Sequence, residues 1–174
     1  MLRYFAMNIL ISADDIQRRV RALAQEIHDD HPNGVHLVCV LKGAFVFLAD
    51  LARQLPGVAT LDFLAVSSYG TSTQSSGQVQ VLKDLDAGLE GRDVIIVEDI
   101  VDTGLTLHYL QDILRARAPR TLQTACLLSK PSKRKIDIKV EYVGFTIEDK
   151  FVVGYGLDYA EQYRNLPYIA VIGD

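Results

Sequence analysis

The sequence predicts an α/β fold, a central and mostly parallel sheet with helices on both faces. Strand-like and helix-like segments alternate through the first two thirds of the chain. The strand-like runs, V-H-L-V-C-V-L at 35–41 and V-I-I-V at 94–97, are almost unbroken apolar stretches, as strands covered on both faces require. Unusual polar residues then follow these runs: Lys42-Gly43, the stretch from Glu98 to Thr106, and Lys130. In parallel sheets ligands bind beyond the carboxyl ends of the strands, so these three segments should converge on one cleft.

Taken in order, Ser12 with Asp14 and Asp15 reads as a helix start, the acids complementing the helix dipole. Ile16, Val20, Leu23 and Ile27 form a helical stripe, which places a helix over about 13–29, ending before H-P-N-G. A strand is expected at 35–41. The next helix carries Phe45, Leu48, Leu51 and Leu55 and stops at Pro56-Gly57. Strands follow at 60–66 and, as a short return, at 79–82. The segment S-S-Y-G-T-S-T-Q-S-S-G-Q between them has one aromatic residue, Tyr69, and too few apolar side chains to pack itself closed. After the strand that opens at 94 come a helix at about 105–117 and a strand at 122–128. The basic loop K-P-S-K-R-K precedes strands near 141–146, 151–155 and 168–172. The last fifty or so residues are expected to be antiparallel and to form an accessory flap.

The chain of 174 residues suits one domain with a sizeable core. Apolar residues make up 49% and charged residues 23%, which argues against wholesale disorder. A net charge of −4, from 18 basic and 22 acidic residues, gives no bulk attraction for nucleic acid or an anionic membrane. An anionic ligand must therefore be held locally, by loops or by a metal ion. Cys39 and Cys126 both fall in strand-like runs and are expected as buried thiols. The opening M-L-R-Y-F-A-M-N-I-L-I-S lacks the pattern of a secretory leader, and no apolar run reaches the ~18 residues of a membrane span. A reducing cytoplasm is the expected location.

The chemistry concentrates at V-I-I-V-E-D-I-V-D-T-G-L-T, residues 94–106. Gly104 permits a tight turn, Thr103 and Thr106 supply hydroxyls, and a helix start offers free N–H groups, which together make a phosphate cradle. A nucleotide-triphosphate P-loop is excluded, because the G-x-x-x-x-G-K-[ST] pattern does not occur. Glu98-Asp99 beside that cradle would repel a bare phosphate. The pair suits a phosphosugar, whose hydroxyls donate to carboxylates or whose Mg²⁺ they hold.

These thirteen residues resemble the phosphoribosyl-diphosphate signature of the type I phosphoribosyltransferases. Further segments narrow the likeness: L-K-G-A at 41–44, S-S-Y-G at 67–70, L-L-S-K-P at 127–131 and V-G-F-T-I-E-D-K-F-V-V-G-Y-G-L-D-Y-A-E-Q-Y-R-N-L-P-Y-I at 143–169. Together they resemble the hypoxanthine-guanine phosphoribosyltransferases of bacterial type. The resemblance implies a single phosphoribosyltransferase domain over 1–174, with a mobile lid at about 67–78 and a C-terminal flap at about 130–174. A small hood built from the N- and C-terminal segments is part of the same expectation. It implies purine salvage: transfer of the phosphoribosyl group from 5-phosphoribosyl 1-diphosphate to hypoxanthine or guanine, with Mg²⁺.

It also implies a role for each matching residue. Asp102 is the expected general base toward the purine's imidazole nitrogen, and burial or neighbouring acids should strengthen it for that task. Asp102, Thr103, Gly104, Leu105 and Thr106 would hold the 5′-phosphate, with Leu105 standing where many mammalian members carry Lys. Glu98 and Asp99 would meet the ribose hydroxyls, directly or through Mg²⁺. Lys42, Gly43 and Arg164 would contact pyrophosphate, with Arg134 assisting, and relatives have a cis peptide between residues 41 and 42. Lys130 would donate to the 6-oxo group of the base, Phe151 would stack on it, and Val152 would offer backbone groups to its edge. Asp158, beside the purine, would bind a second Mg²⁺ near pyrophosphate. Ser68-Tyr69 is the lid pair. Homo-oligomers, dimers or tetramers, are expected, with no nucleic-acid or membrane partner. Two alternatives stay open: a nucleic-acid-binding regulator on the same fold, and an enzyme preferring xanthine.

Overall fold

The structure is a computed structural model that describes residues 7–68 and 79–173. Its elements in chain order are β1 (Met7–Ile11), α1 (Ala13–Asp30), β2 (Val35–Leu41), α2 (Phe45–Gln54), β3 (Ala59–Ser68), β4 (Val79–Lys83), β5 (Asp93–Val101), α3 (Leu105–Arg115), β6 (Thr121–Ser129), β7 (Tyr142–Thr146), β8 (Val152–Val153) and β9 (Ile169–Ile172). A single 3₁₀ turn, Pro131–Lys133, follows β6.

Six strands form the main sheet in the order β4-β3-β2-β5-β6-β7. All its pairs are parallel except β3 with β4, so the edge strand β4 runs back along β3. The two central strands explain their own apolar sequences. In β2, Leu37 and Cys39 enter one core with Ile95, Val97, Ala125 and Leu127, beneath α1 and α2. Val38 and Val40 point the other way, into a second core with Val94, Ile96, Cys126 and the α3 residues Leu107, Leu110 and Leu114. A strand buried on both faces has no polar side to alternate with. Each such side chain taken from water contributes about 1.5–3 kcal/mol.

α1 starts as its sequence suggests: the Ser12 hydroxyl oxygen accepts the Asp15 N–H at 3.1 Å. Its buried stripe is Ile16, Val20, Leu23, Ala24 and Ile27. Both cysteines are free and buried, as expected. No described helix is long and apolar enough to cross a membrane.

Two expectations need correction. The antiparallel character expected of the last fifty residues holds for β8 and β9 but not for β7. That strand extends the main sheet in parallel with β6, from Ala125↔Tyr142 to Ser129↔Thr146. Strand direction is settled by the free edge of β6, which a local pattern does not register. β8 and β9 instead join β1 in a separate antiparallel sheet of order β1-β9-β8, the hood that brings the chain's two ends together. The second correction concerns the acids. Glu98 and Asp99 lie within β5 rather than beyond it, because the ladder to β6 continues through Glu98↔Cys126 to Val101↔Ser129.

Candidate active site

A cleft of about 660 Å³ opens at the carboxyl ends of β2, β3 and β5. Its walls bring together Lys42, Gly43, Glu98, Asp99, Asp102, Thr106, Asp158 and Arg164, with Val66 and Ser67 from the end of β3. Sequence-distant segments thus converge as the parallel sheet requires. A second hollow, of about 290 Å³, lies at the opposite end of the sheet around His36, Thr60, Arg92 and Asp93. Its one carboxylate is already committed: Asp93 accepts from Arg120 and from the Thr121 hydroxyl. The cleft, by contrast, keeps a row of acids facing two cations.

The floor of the cleft is set by β5. Glu98 is buried, and burial together with the charges of Asp99 and Asp102 pushes its carboxyl well above the ordinary range. Burial also raises Asp99 to about 6, although the Ile100 N–H donates to its Oδ1 at 2.6 Å and partly offsets the shift. Asp102, in contrast, is exposed, and the Thr103 N–H donates to its Oδ1 at 2.6 Å. Of the two influences expected at Asp102, burial or neighbouring acids, burial falls instead on the two acids before it. The reason is positional: Glu98 and Asp99 are inside the strand ladder, and Asp102 begins the turn.

That turn passes into α3 at Gly104, whose φ of +84° and close neighbour Ile138 leave little room for a side chain. Leu105 N–H donates to the Thr103 hydroxyl at 3.4 Å, and the first amides of α3 have no acceptor within the helix. Thr103, Gly104, Leu105 and exposed Thr106 therefore form a tight turn with hydroxyls and helix-start amides side by side.

The opposite wall is cationic. The peptide joining Leu41 to Lys42 is cis, as the resemblance implies. Gly43 lies against the acids so closely that a methyl group there would fall 1.6 Å from Asp99 Oδ2. Lys42 Nζ pairs with Glu161 Oε2 at 2.9 Å. The Arg164 guanidinium donates to the Gly156 carbonyl at 2.8 Å and pairs with Asp158 Oδ1 at 3.1 Å and Glu161 Oε1 at 3.4 Å. Asp158 is further engaged by the Glu161 N–H, 2.8 Å from its Oδ2.

Lys130, Phe151 and Val152 lie outside the lining of that cleft, but Lys130 is tied to it, since its N–H donates to Val101 O at 2.9 Å. The Lys130 side chain is buried and its ammonium donates to Lys150 O at 2.6 Å, with Asp149 Oδ1 at 3.7 Å. Phe151 is 53% exposed and meets Tyr159 edge-on, ring centroids 5.7 Å apart. Val152 is buried in β8. Ser68 closes β3, while Tyr69 and the rest of the lid segment to Gln78 lie outside the described residues.

Arg134 does not join the Arg164 wall. Its guanidinium donates to the Val101 carbonyl at 2.6 Å, to the Asp102 carbonyl and to Ser129 Oγ at 2.9 Å, bracing the backbone that carries Asp102. With Lys133 held by Asp149 at 2.8 Å and Lys130 by the Lys150 carbonyl, three of the loop's four cations are engaged in internal contacts. Arg134 and Glu161 are the residues whose placement sequence reasoning missed. Neither stands in a local pattern that marks it.

Could these residues hold Mg²⁺? The donors at the floor are carboxylate oxygens, the hard ligands this ion takes. Among the described residues no group of three or more ligating side chains is placed to hold a metal ion. Mg²⁺ commonly binds through one or two carboxylates, several waters and substrate phosphates, so Glu98 and Asp99 fit an ion that arrives with a diphosphate.

The raised acids carry a pH signature. Around pH 4 to 6 the folded chain keeps protons at Glu98 and Asp99 that the unfolded chain releases. Their contribution to stability is therefore complete at low pH and is lost as pH rises through their folded values. Glu98→Gln should stabilise the ligand-free protein by about 1–3 kcal/mol at pH 8 and change little at pH 4.5. Urea unfolding at the two pH values measures this. Equal effects at both would show that Glu98 does not carry the buried charge.

Comparison with known proteins agrees with this geometry. The family model described as the phosphoribosyl transferase domain matches residues 12–160. A hypoxanthine-guanine phosphoribosyltransferase of Bacillus subtilis (strain 168) is 50% identical over 99% of this chain and 96% of its own. One from Mycobacterium avium is 49% identical over 95% of this chain and 85% of its own. A crystal structure of a Bacillus anthracis hypoxanthine-guanine phosphoribosyltransferase, with HEPES in its active site, superposes with a TM-score of 0.92 at 48% identity, covering 95% of this chain and 98% of that one. The acid-floored cleft, the turn into α3 and these matches over nearly the whole chain lead to one conclusion: the chain belongs to the phosphoribosyltransferase family.

Proposed function

We propose that the protein is a purine-salvage enzyme, a hypoxanthine-guanine phosphoribosyltransferase. It transfers the 5-phosphoribosyl group of 5-phosphoribosyl 1-diphosphate to hypoxanthine or guanine, giving IMP or GMP and pyrophosphate. The observation that carries the reading is the meeting, in one cleft, of an acid floor, a helix-start turn and a two-cation wall. A phosphosugar diphosphate needs all three: acceptors for its hydroxyls, amides for its 5′-phosphate and cations for its leaving group.

In this reading Glu98 and Asp99 accept from the ribose hydroxyls and hold Mg²⁺, with Asp158 available to a second ion near pyrophosphate. Bound there, Mg²⁺ would neutralise diphosphate charge. Asp102, Thr103, Gly104, Leu105 and Thr106 surround the 5′-phosphate, and Lys42, Gly43 and Arg164 face the diphosphate. The purine nitrogen forms its bond to the anomeric carbon as the bond from that carbon to the diphosphate oxygen breaks. The nitrogen's proton passes to the Asp102 carboxylate and then to solvent. Exposure of Asp102 to the cleft suits a group that must take a proton from a ligand. The Ser68-Tyr69 lid would exclude water from the electron-poor sugar carbon.

Base choice rests on Lys130. Its buried ammonium, already directed by the Lys150 carbonyl, has donors left for a 6-oxo group. A 6-amino group would leave it unpaired, which is how polar sites reject close analogues. Lys130→Met keeps the aliphatic stem and removes the donor. The hypoxanthine-to-adenine ratio of kcat/KM should then fall about 100-fold or more. An unchanged ratio would remove Lys130 from base selection.

The whole reading is tested by supplying purified protein, Mg²⁺ and phosphoribosyl diphosphate with hypoxanthine, guanine, xanthine, adenine or uracil. Turnover with the first two supports it, and turnover confined to xanthine or absent with all five refutes it. The family likeness and the two buried thiols support a homo-oligomer, dimer or tetramer, working in a reducing cytoplasm.

A further inference from the structure

Glu161 is the one acid on the cationic wall that the functional reading leaves without a task. Its backbone is unusual. Tyr159 and Gln162 exchange N–H···O bonds of 3.1 and 3.0 Å, so Ala160 and Glu161 form a two-residue hairpin loop. Both are left-handed, with φ of +51° and +63°, as a type I′ turn requires. Such turns favour Asn and Gly, and side chains held there against preference cluster at functional sites. The turn is fixed from below by the Glu161 N–H to Asp158 Oδ2 bond. What it achieves is placement: the Glu161 carboxylate spans the wall, one oxygen 2.9 Å from Lys42 Nζ and the other 3.4 Å from the Arg164 guanidinium.

We propose that Glu161 is a built-in counter-anion, occupying the two cations of the pyrophosphate subsite when that subsite is empty and competing with pyrophosphate for them. This rests on the reading of Lys42 and Arg164 as diphosphate contacts. Two cations facing a multiply charged anion would hold the product tightly. A carboxylate tethered beside them is an intramolecular competitor at high effective concentration, which lowers affinity and hastens product release. The contact can yield, since the Lys42 and Glu161 side chains are 66% and 65% exposed and exposed pairs are weak. The same exposure bounds the effect: breaking one such pair corresponds to about two- to fivefold in a binding constant.

The test is calorimetric titration of Mg²⁺-pyrophosphate into the wild type, Glu161→Gln and Lys42→Ala. Glu161→Gln keeps the shape and removes the charge, and Glu161→Ala serves as a second variant. Both should bind pyrophosphate about two- to fivefold more tightly, with the pyrophosphate inhibition constant of the forward reaction falling in step. Unchanged or weaker binding in both, while Lys42→Ala weakens binding, overturns the counter-anion and leaves the subsite standing. If Lys42→Ala binds pyrophosphate like the wild type, the subsite is wrong and the counter-anion falls with it.

Discussion

Asp102→Asn should lower turnover about 10²–10⁴-fold while leaving phosphoribosyl-diphosphate affinity within about threefold of the wild type. The asymmetry follows from what the side chain touches. Its Oδ1 accepts the Thr103 N–H at 2.6 Å, a bond that an asparagine oxygen preserves, so the turn into α3 stays as it is. The side chain is exposed to the cleft, so an amide in place of the acid carries little desolvation cost. What disappears is the ability to accept a proton from the purine nitrogen as its bond to the sugar forms. Steady-state kinetics paired with equilibrium diphosphate binding separates the two quantities. Turnover near the wild-type value would exclude Asp102 as the base, and an equal loss in binding and turnover would recast it as a phosphate-positioning group.

The second large effect is expected from a single methyl. In Gly43→Ala the new carbon would fall 1.6 Å from Asp99 Oδ2 and 2.6 Å from its carboxyl carbon, so the floor and the cationic wall cannot both keep their places. Asp99 is part of β5 and Gly43 lies in the turn just after β2, and the two strands pair in the central sheet. Displacement of about 1 Å at a reacting centre costs on the order of 100-fold, and kcat/KM should fall at least that far. The origin of the loss can be checked in a double-mutant cycle. Asp99→Ala removes the clashing atoms and leaves only a Cβ 3.3 Å from the new methyl. Adding Gly43→Ala to Asp99→Ala should then cost little more than Asp99→Ala alone. Full additivity of the two losses would show that something other than this contact makes Gly43 necessary.

Much of this architecture is legible in the sequence, and the failures have physical causes. The bounds of β2 match because its apolar run is bracketed by a turn at Gly34 and by Lys42-Gly43. β5 is longer than its apolar stretch because hydropathy treats a carboxylate as the end of a strand, whereas the backbone ladder does not. β7 runs parallel because an open sheet edge, not its own residues, chooses its direction. The acids, the Thr-Gly turn and Lys42 converge in one cleft as their strand-end positions suggest, and Arg164 joins them from outside the sheet, whereas Lys130, expected there from its place after β6, lies outside the lining. Glu98 is buried, in keeping with the apolar run that leads into it, whereas Asp102 is exposed, since spacing alone does not separate a residue in the ladder from one in the turn. Glu161 was silent because its tight turn is built from Ala-Glu, without the Asn or Gly that announces such turns. Arg134 was silent because its partners are backbone carbonyls, which every residue possesses.

The hood gives the folding reaction an order. Pairing Met7 with Ile172 closes nearly the whole chain into a loop, whereas β2 finds β3, and β5 finds β6, across a single intervening helix. Distant closures carry the larger entropic cost and are expected late. Refolding followed by pulsed hydrogen exchange should therefore protect the amides of β2, β5 and β6 before those of β1, β8 and β9. On the proposed reading, a refolding chain would acquire its phosphosugar floor first and the strand beside Phe151 last, so that in time, as in space, recognition of the base would be added to a sheet already able to meet the sugar.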